Sequence, residues 1–238
     1  MKKTPNYPSL DQLFHRAVTY PGPSHRLDGL ATALHVVEEQ LAHARVQEEK
    51  RLRTKLRSHL HPDDVELEKE SFSQTVDQLL PKIFLGGFVI SLWSVFEACV
   101  KDLAEYTKQT RNFPFGLDEL RSGDFLKQME MFFHGVIVLE AFPDKQVRSK
   151  IKELKDLRNA LAHHDGSTSK LPESLRAKHS NQYDALGLQV YRDLHHEYAI
   201  PNADYVRRSL MLVKTYLESL SQRLYEALHP GGWTGGKT

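Results

Sequence analysis

The sequence predicts an all-α protein, a helical bundle of about six helices with long N- and C-terminal helices and a small hairpin before the last one. Three observations carry this expectation. Apolar residues recur at three- and four-residue steps in Leu27, Leu30, Leu34, Val37, Leu41 and Ala44, and again in Val206, Leu210, Val213, Leu217, Leu220 and Leu224; that period places each set on one helical face. Prolines and cap-forming residues punctuate the runs. Alternation of period two is weak and falls on LQVYRDLHHEYAI, the segment expected to form the hairpin.

Each element follows from local signals. Residues 1–23 carry four prolines and a short apolar patch (Leu10, Leu13, Phe14), and read as an N-terminal arm. Ser24 is placed to cap a long helix, and residues 24–62 form a helical extension in which Leu52, Leu56 and Leu60 keep a thin seam through EEKRLRTKLRSHLH until Pro62. A second helix begins near Asp63 and carries Phe72, Val76, Leu79 and Leu80. Pro81 is expected to kink or break it, because proline has no amide hydrogen to donate and its ring crowds the preceding turn. Helix resumes through IFLGGFVISLWSVFEACVKDLAEYTKQ, and a turn follows from Asn112 to Gly116. Asp124 caps a helix running through Phe125, Met129, Phe132 and Phe133 to about Gly135. Pro143 starts the next helix, which Gly166 stops. A polar stretch, STSKLPESLRAKHSNQYDAL, comes next; loops of that length inside a compact domain are often functional. Asn202 caps the final helix, and Pro230 and Gly231 stop it. One bundle is thus expected over 63–229, with a flexible tail at 230–238.

Composition bounds the function. Apolar residues at 40% and charged residues at 26% suffice for a packed core. A formal net charge of +1 excludes attachment to nucleic acid by bulk electrostatics, so any RNA contact must be local. The single cysteine, Cys99, lies in an apolar run and fits an inert core thiol in a reducing compartment. No apolar stretch follows the two lysines at the start, so no signal peptide is read there. The most apolar segment, Ile83 to Val100, holds Gly86, Gly87 and Glu97 and fits a core helix better than a membrane span. A cytoplasmic protein without a membrane partner is expected. The terminal GGWTGGKT satisfies the phosphate-loop string, yet a phosphate loop needs a strand before it and a helix after it. Neither is predicted, and the match is set aside.

The segment KDLRNALAHHDG carries the chemistry. At about 100° per residue, Val147, Ile151, Leu154, Leu157 and Leu161 form one stripe, and Arg158 falls inside it. A buried guanidinium needs a partner, and Glu97, the one charge in FVISLWSVFEACV, is the expected one. Asn159 and His163 share a face at i, i+4, about 140° around the helix from Arg158 for the histidine. An imidazole in the last turn stands at the negative end of the helix, where its charged form is favoured. His164 is read as surface. RTKLRSH, from Arg53 to His59, repeats the Arg-to-His spacing but has no apolar stripe, and reads as a solvated charged face.

Arg158-Asn159-Ala160-Leu161-Ala162-His163 resembles the R-x(4–6)-H motif of the HEPN superfamily, in which a polar residue typically follows the arginine. The surroundings are similar: an earlier helix bears a glutamate in an apolar run (SVFEACVKDL), and a long last helix follows a variable loop. The resemblance covers roughly residues 75–228. It implies a metal-independent, cofactor-free endoribonuclease acting as a homodimer, often a toxin or phage-defence effector, with two motifs meeting in one composite site. Arg158, His163 and Asn159 would then be catalytic, Glu97 supporting, and Lys155 and His164 substrate-binding. RNA would be the substrate, and an antitoxin or nucleotidyltransferase a possible partner. His195-His196-Glu197 shows no metal-ligand spacing. The rival expectation is a non-catalytic nucleotide- or RNA-binding or scaffold domain of the same superfamily; a third is a helical interaction module using the charged 45–60 helix. Charge placement separates them, since a nuclease should gather Lys150, Lys152 and Lys155 around the cleft.

Overall fold

A computed structural model describes residues 23–58, 61–164, 189–191, 197–200 and 202–228. The expected arm up to residue 22, the Gly166 stop, the polar 166–186 loop and the 230–238 tail lie outside the described residues. The chain is an all-α helical bundle. Among the described residues there are five helices: α1 (Pro23–Leu56), α2 (Pro62–Arg111), α3 (Phe125–Ile137), α4 (Lys145–His164) and α5 (Asp204–Leu228). A short antiparallel pair, β1 (Gln189–Tyr191) and β2 (Glu197–Ala199), precedes α5, with Val190 opposite Tyr198.

About six helices are expected and five are described, because the chain stays helical through Pro81. α2 runs unbroken for 50 residues. A π-helical segment, Ser73–Leu79, lies immediately before the proline, and the Leu80 amide donates to the Thr75 carbonyl, five residues back. A widened turn at that point lets the chain accommodate a residue that cannot donate and whose ring needs room.

α1 also departs from the expected extension. It begins at Pro23, a residue pre-shaped for a helix's first turn. Leu27 and Leu34 are fully buried in the same core as α2 and α5, so the start of the helix belongs to the bundle. Ion pairs tie it there: Arg26 to Asp102 at 3.0 Å and Lys214 to Asp28 at 2.8 Å. Beyond Leu34 no residue of α1 is buried, and the helix lies along the start of α2 through Arg45–Asp77 (2.7 Å) and Lys55–Glu68 (2.8 Å). The two form an antiparallel hairpin extending from the bundle.

The core is built on the second half of α2. Leu85, Val89, Leu92, Trp93, Phe96, Cys99 and Val100 are buried against α4 and α5. By length and composition α2 contains a stretch able to cross a membrane, and nearly half of that window is buried inside the bundle. Burial pushes the Cys99 thiol above its ordinary value, an effect that the nearby Arg26 partly offsets. The α5 seam from Val206 to Leu224 is buried as its spacing predicts. Asn202 accepts the Asp204 amide at 3.0 Å as α5 begins.

α3 starts on Asp124, whose carboxylate accepts the amides of Leu126 (2.9 Å) and Lys127 (3.4 Å). The helix runs past the expected stop at Gly135 and closes at Val138, a left-handed residue with φ 56°. The Val138 amide donates to His134 and the Leu139 amide to Phe133, the bond pattern that a glycine usually closes. The linker to α4 is held by α5: Arg223 donates to the Glu140 and Ala141 carbonyls, and Tyr216 donates to Ala141. Asp144, not Pro143, caps α4, accepting the Gln146 amide at 2.7 Å.

Candidate functional site

α4 packs against α2 in the opposite chain direction, and two contacts fix the register. Leu161 sits over Gly86, where an added Cβ would lie 3.4 Å from its side chain. Nearer the start of α4, Lys155 reaches Asp124 at 2.8 Å, and Phe125 beside it packs edge-on against Trp93 and Phe96 at 6.2 Å. Ile151, Leu154 and Leu157 are buried along this contact, as the stripe predicts, and Ala160 is buried with them. Arg158 and Asn159 are half-buried on its flank, and His163 is exposed in the last turn.

The expected Arg158–Glu97 pair does not form. Register explains why. Arg158 lies one turn before Leu161 and therefore sits opposite the turn after Gly86, whereas Glu97 lies about 12 Å further along α2 at 1.5 Å per residue. Glu97 instead accepts the indole N–H of Trp93, one turn earlier on its own helix, at 2.7 Å. A buried indole needs an acceptor, and the carboxylate supplies it. Glu97 thus stabilises the core and does not touch the motif.

Arg158 turns to its neighbour. Its Nη1 donates to Asn159 Oδ1 at 2.9 Å, while its Nε is buried without a hydrogen-bond partner. Among the described residues it has no carboxylate partner. A half-buried guanidinium compensated only by a neutral amide is costly, and an anion would relieve that cost. The bond also orients Asn159, which shares its face with His163 one turn on.

The lysines expected at the cleft are committed elsewhere. Lys155, only 15% exposed, is spent on Asp124. Burial works against the Asp124 carboxylate, but the Lys155 ammonium and the Leu126 and Lys127 amides outweigh it and hold its pKa below the ordinary value. Lys155 therefore ties the start of α3 to the middle of α4, and its expected place among substrate-binding cations competes with that ion pair. Lys152 pairs with Asp156 at 2.6 Å, leaving only Lys150 exposed and without a counter-ion among the described residues. The side chain of His164 lies outside the described residues.

The structure thus brings Arg158 and Asn159 into contact and puts His163 in reach of solvent, while pairing Glu97 with Trp93 and Lys155 with Asp124. The Trp93–Glu97 bond was legible as an i, i+4 pair, and the Asp124–Lys155 tie was not, since nothing in the sequence fixes the α3–α4 register. No family model, curated protein or solved structure matches this chain.

Proposed function

We propose that the chain is a HEPN-like, metal-independent endoribonuclease of the cytoplasm that cleaves RNA at a composite site made by two copies. One observation carries the reading: a half-buried guanidinium with no carboxylate among the described residues, one turn from an exposed histidine on the same helix end. Such a cation suits a phosphate that gains negative charge at its equatorial oxygens.

RNA brings its own nucleophile. His163 of one copy removes the proton from a 2′-hydroxyl, and O2′ attacks phosphorus. The P–O5′ bond breaks, and protonated His163 of the second copy gives its proton to O5′. A 2′,3′-cyclic phosphate and a 5′-hydroxyl result, with no change of oxidation state. Arg158 stabilises the phosphorane, and Asn159 holds Arg158 and faces the histidine. In-line displacement puts O2′ and O5′ on opposite sides of phosphorus, which suits a separate base and acid, and Arg158 and His163 of one chain diverge by about 140°, so two copies supply what one lacks.

The commitment of Lys152 and Lys155 favours a second reading, a non-catalytic binding or scaffold domain. The two separate on growth arrest and RNA cleavage in metal-free buffer. Wild type is expected to cleave, and folded His163→Ala to lose cleavage by about 10²-fold or more, as for loss of a general base. Equal behaviour of the two proteins removes the nuclease reading and leaves the scaffold.

A further inference from the structure

We propose that Lys50 and Arg53 on the distal half of α1, with Arg57 in the turn just past its end, form a stripe that binds the phosphodiester backbone of single-stranded RNA away from the Arg158–His163 end. This inference rests on the RNA reading above for its choice of polyanion.

The pairing pattern in the α1–α2 hairpin singles these residues out. Its other cations are neutralised: Arg45 by Asp77 and Glu49, Arg51 by Glu48, Lys55 by Glu68, and Lys69 by Glu66. Lys50, Arg53 and Arg57 are exposed, and their side chains have no counter-ion among the described residues. Spaced by three and four, they lie on one helical face over about 10 Å. A protein of net charge +1 that leaves three cations in line and pairs those beside them has a local positive stripe.

Geometry favours a nucleic-acid backbone over a membrane. A membrane-bound helix needs an apolar face beside its cations. Among the described residues Val46, one turn before Lys50, is the only large apolar residue in line with these three, and Thr54 and Ser58 flank them. The Arg45–Asp77 and Lys55–Glu68 contacts place the stripe beside roughly residues 66–73 of α2. Gly86, under Leu161, is then about 20–30 Å along the helix. One strand of about 16 nucleotides, a length that single-strand sites span, can follow the hairpin from stripe to helix end.

The test measures binding of a fluorescent 16-nucleotide single-stranded RNA to the full chain by anisotropy from 50 to 200 mM KCl. Lys50→Gln/Arg53→Gln/Arg57→Gln is compared with wild type and with Lys55→Gln, whose lysine is already paired. Each phosphate contact to a single strand contributes about 0.7 to the log–log salt slope, so the triple variant's slope should fall by about 2. Across that salt range wild-type affinity should drop roughly twenty-fold more than the variant's. Lys55→Gln should keep the wild-type slope. An unchanged slope in the triple variant, no RNA binding by wild type, or loss of binding only to phosphatidylserine vesicles would each overturn the stripe. Wild type that binds with this slope but does not cleave sinks the nuclease reading and keeps the stripe; cleavage with an unchanged triple variant does the reverse.

Discussion

Removing the Asp124 carboxylate should loosen the joint that sets α4 against α3. In Asp124→Ala, the Leu126 and Lys127 amides lose their acceptor, a cap worth about 1 kcal/mol. Lys155 loses its 2.8 Å partner at 15% exposure, while Asp124 itself is 44% exposed, so solvent screening limits that term to about 1 kcal/mol. The sum, about 2 kcal/mol, corresponds to a fall in Tm of roughly 4–8 °C for a chain of this size. Asp124→Asn keeps the cap and loses the charge, and should cost about half as much. Urea unfolding followed by circular dichroism across pH separates the two terms. Because the folded carboxylate has a depressed pKa, its contribution is complete above the unfolded value of about 3.9 and is lost as pH falls through the folded one. The wild-type advantage over Asp124→Asn should therefore be flat from pH 7 to 5 and shrink below about pH 4. If Asp124→Ala unfolds within 0.5 kcal/mol of wild type, or the gap to Asp124→Asn grows on acidification, the joint as described is wrong.

Two further substitutions probe single features. Val138→Gly should raise stability by about 1 kcal/mol in thermal unfolding, since a β-branched residue at φ 56° carries a strain that glycine lacks; a lower Tm would mean that the exposed valine makes a contact outweighing it. Arg158→Met should change stability by less than about 1 kcal/mol or increase it, because the guanidinium has no carboxylate partner among the described residues. A loss of several kcal/mol would restore the case for a buried ion pair.

Much of the fold was legible because helical faces follow from spacing within one segment. The α5 seam, the Asp124 cap and the α4 stripe rest on residues within a turn or two of each other. Errors arose where two segments meet. Glu97 and Arg158 looked like mutual partners because each was a lone charge in an apolar run, but pairing requires an inter-helix register that Leu161 over Gly86 sets out of step. Lys155 was hidden for the same reason, its partner lying 31 residues away on another helix. Pro81 marked a disturbance of the helix, but its form, a widened turn before the proline with the helix continuing, depends on backbone geometry that no residue type announces. Val138, where glycine is the usual choice, ended α3 later than Gly135 suggested.

The most direct measurement compares an RNA oligonucleotide with its fully 2′-O-methylated analogue in buffer containing EDTA. Cleavage of the RNA to 2′,3′-cyclic phosphate and 5′-hydroxyl ends, with the analogue intact, is expected if the substrate's own hydroxyl attacks with His163 as base. Cleavage of both, 5′-phosphate ends, or an RNA left whole would contradict it.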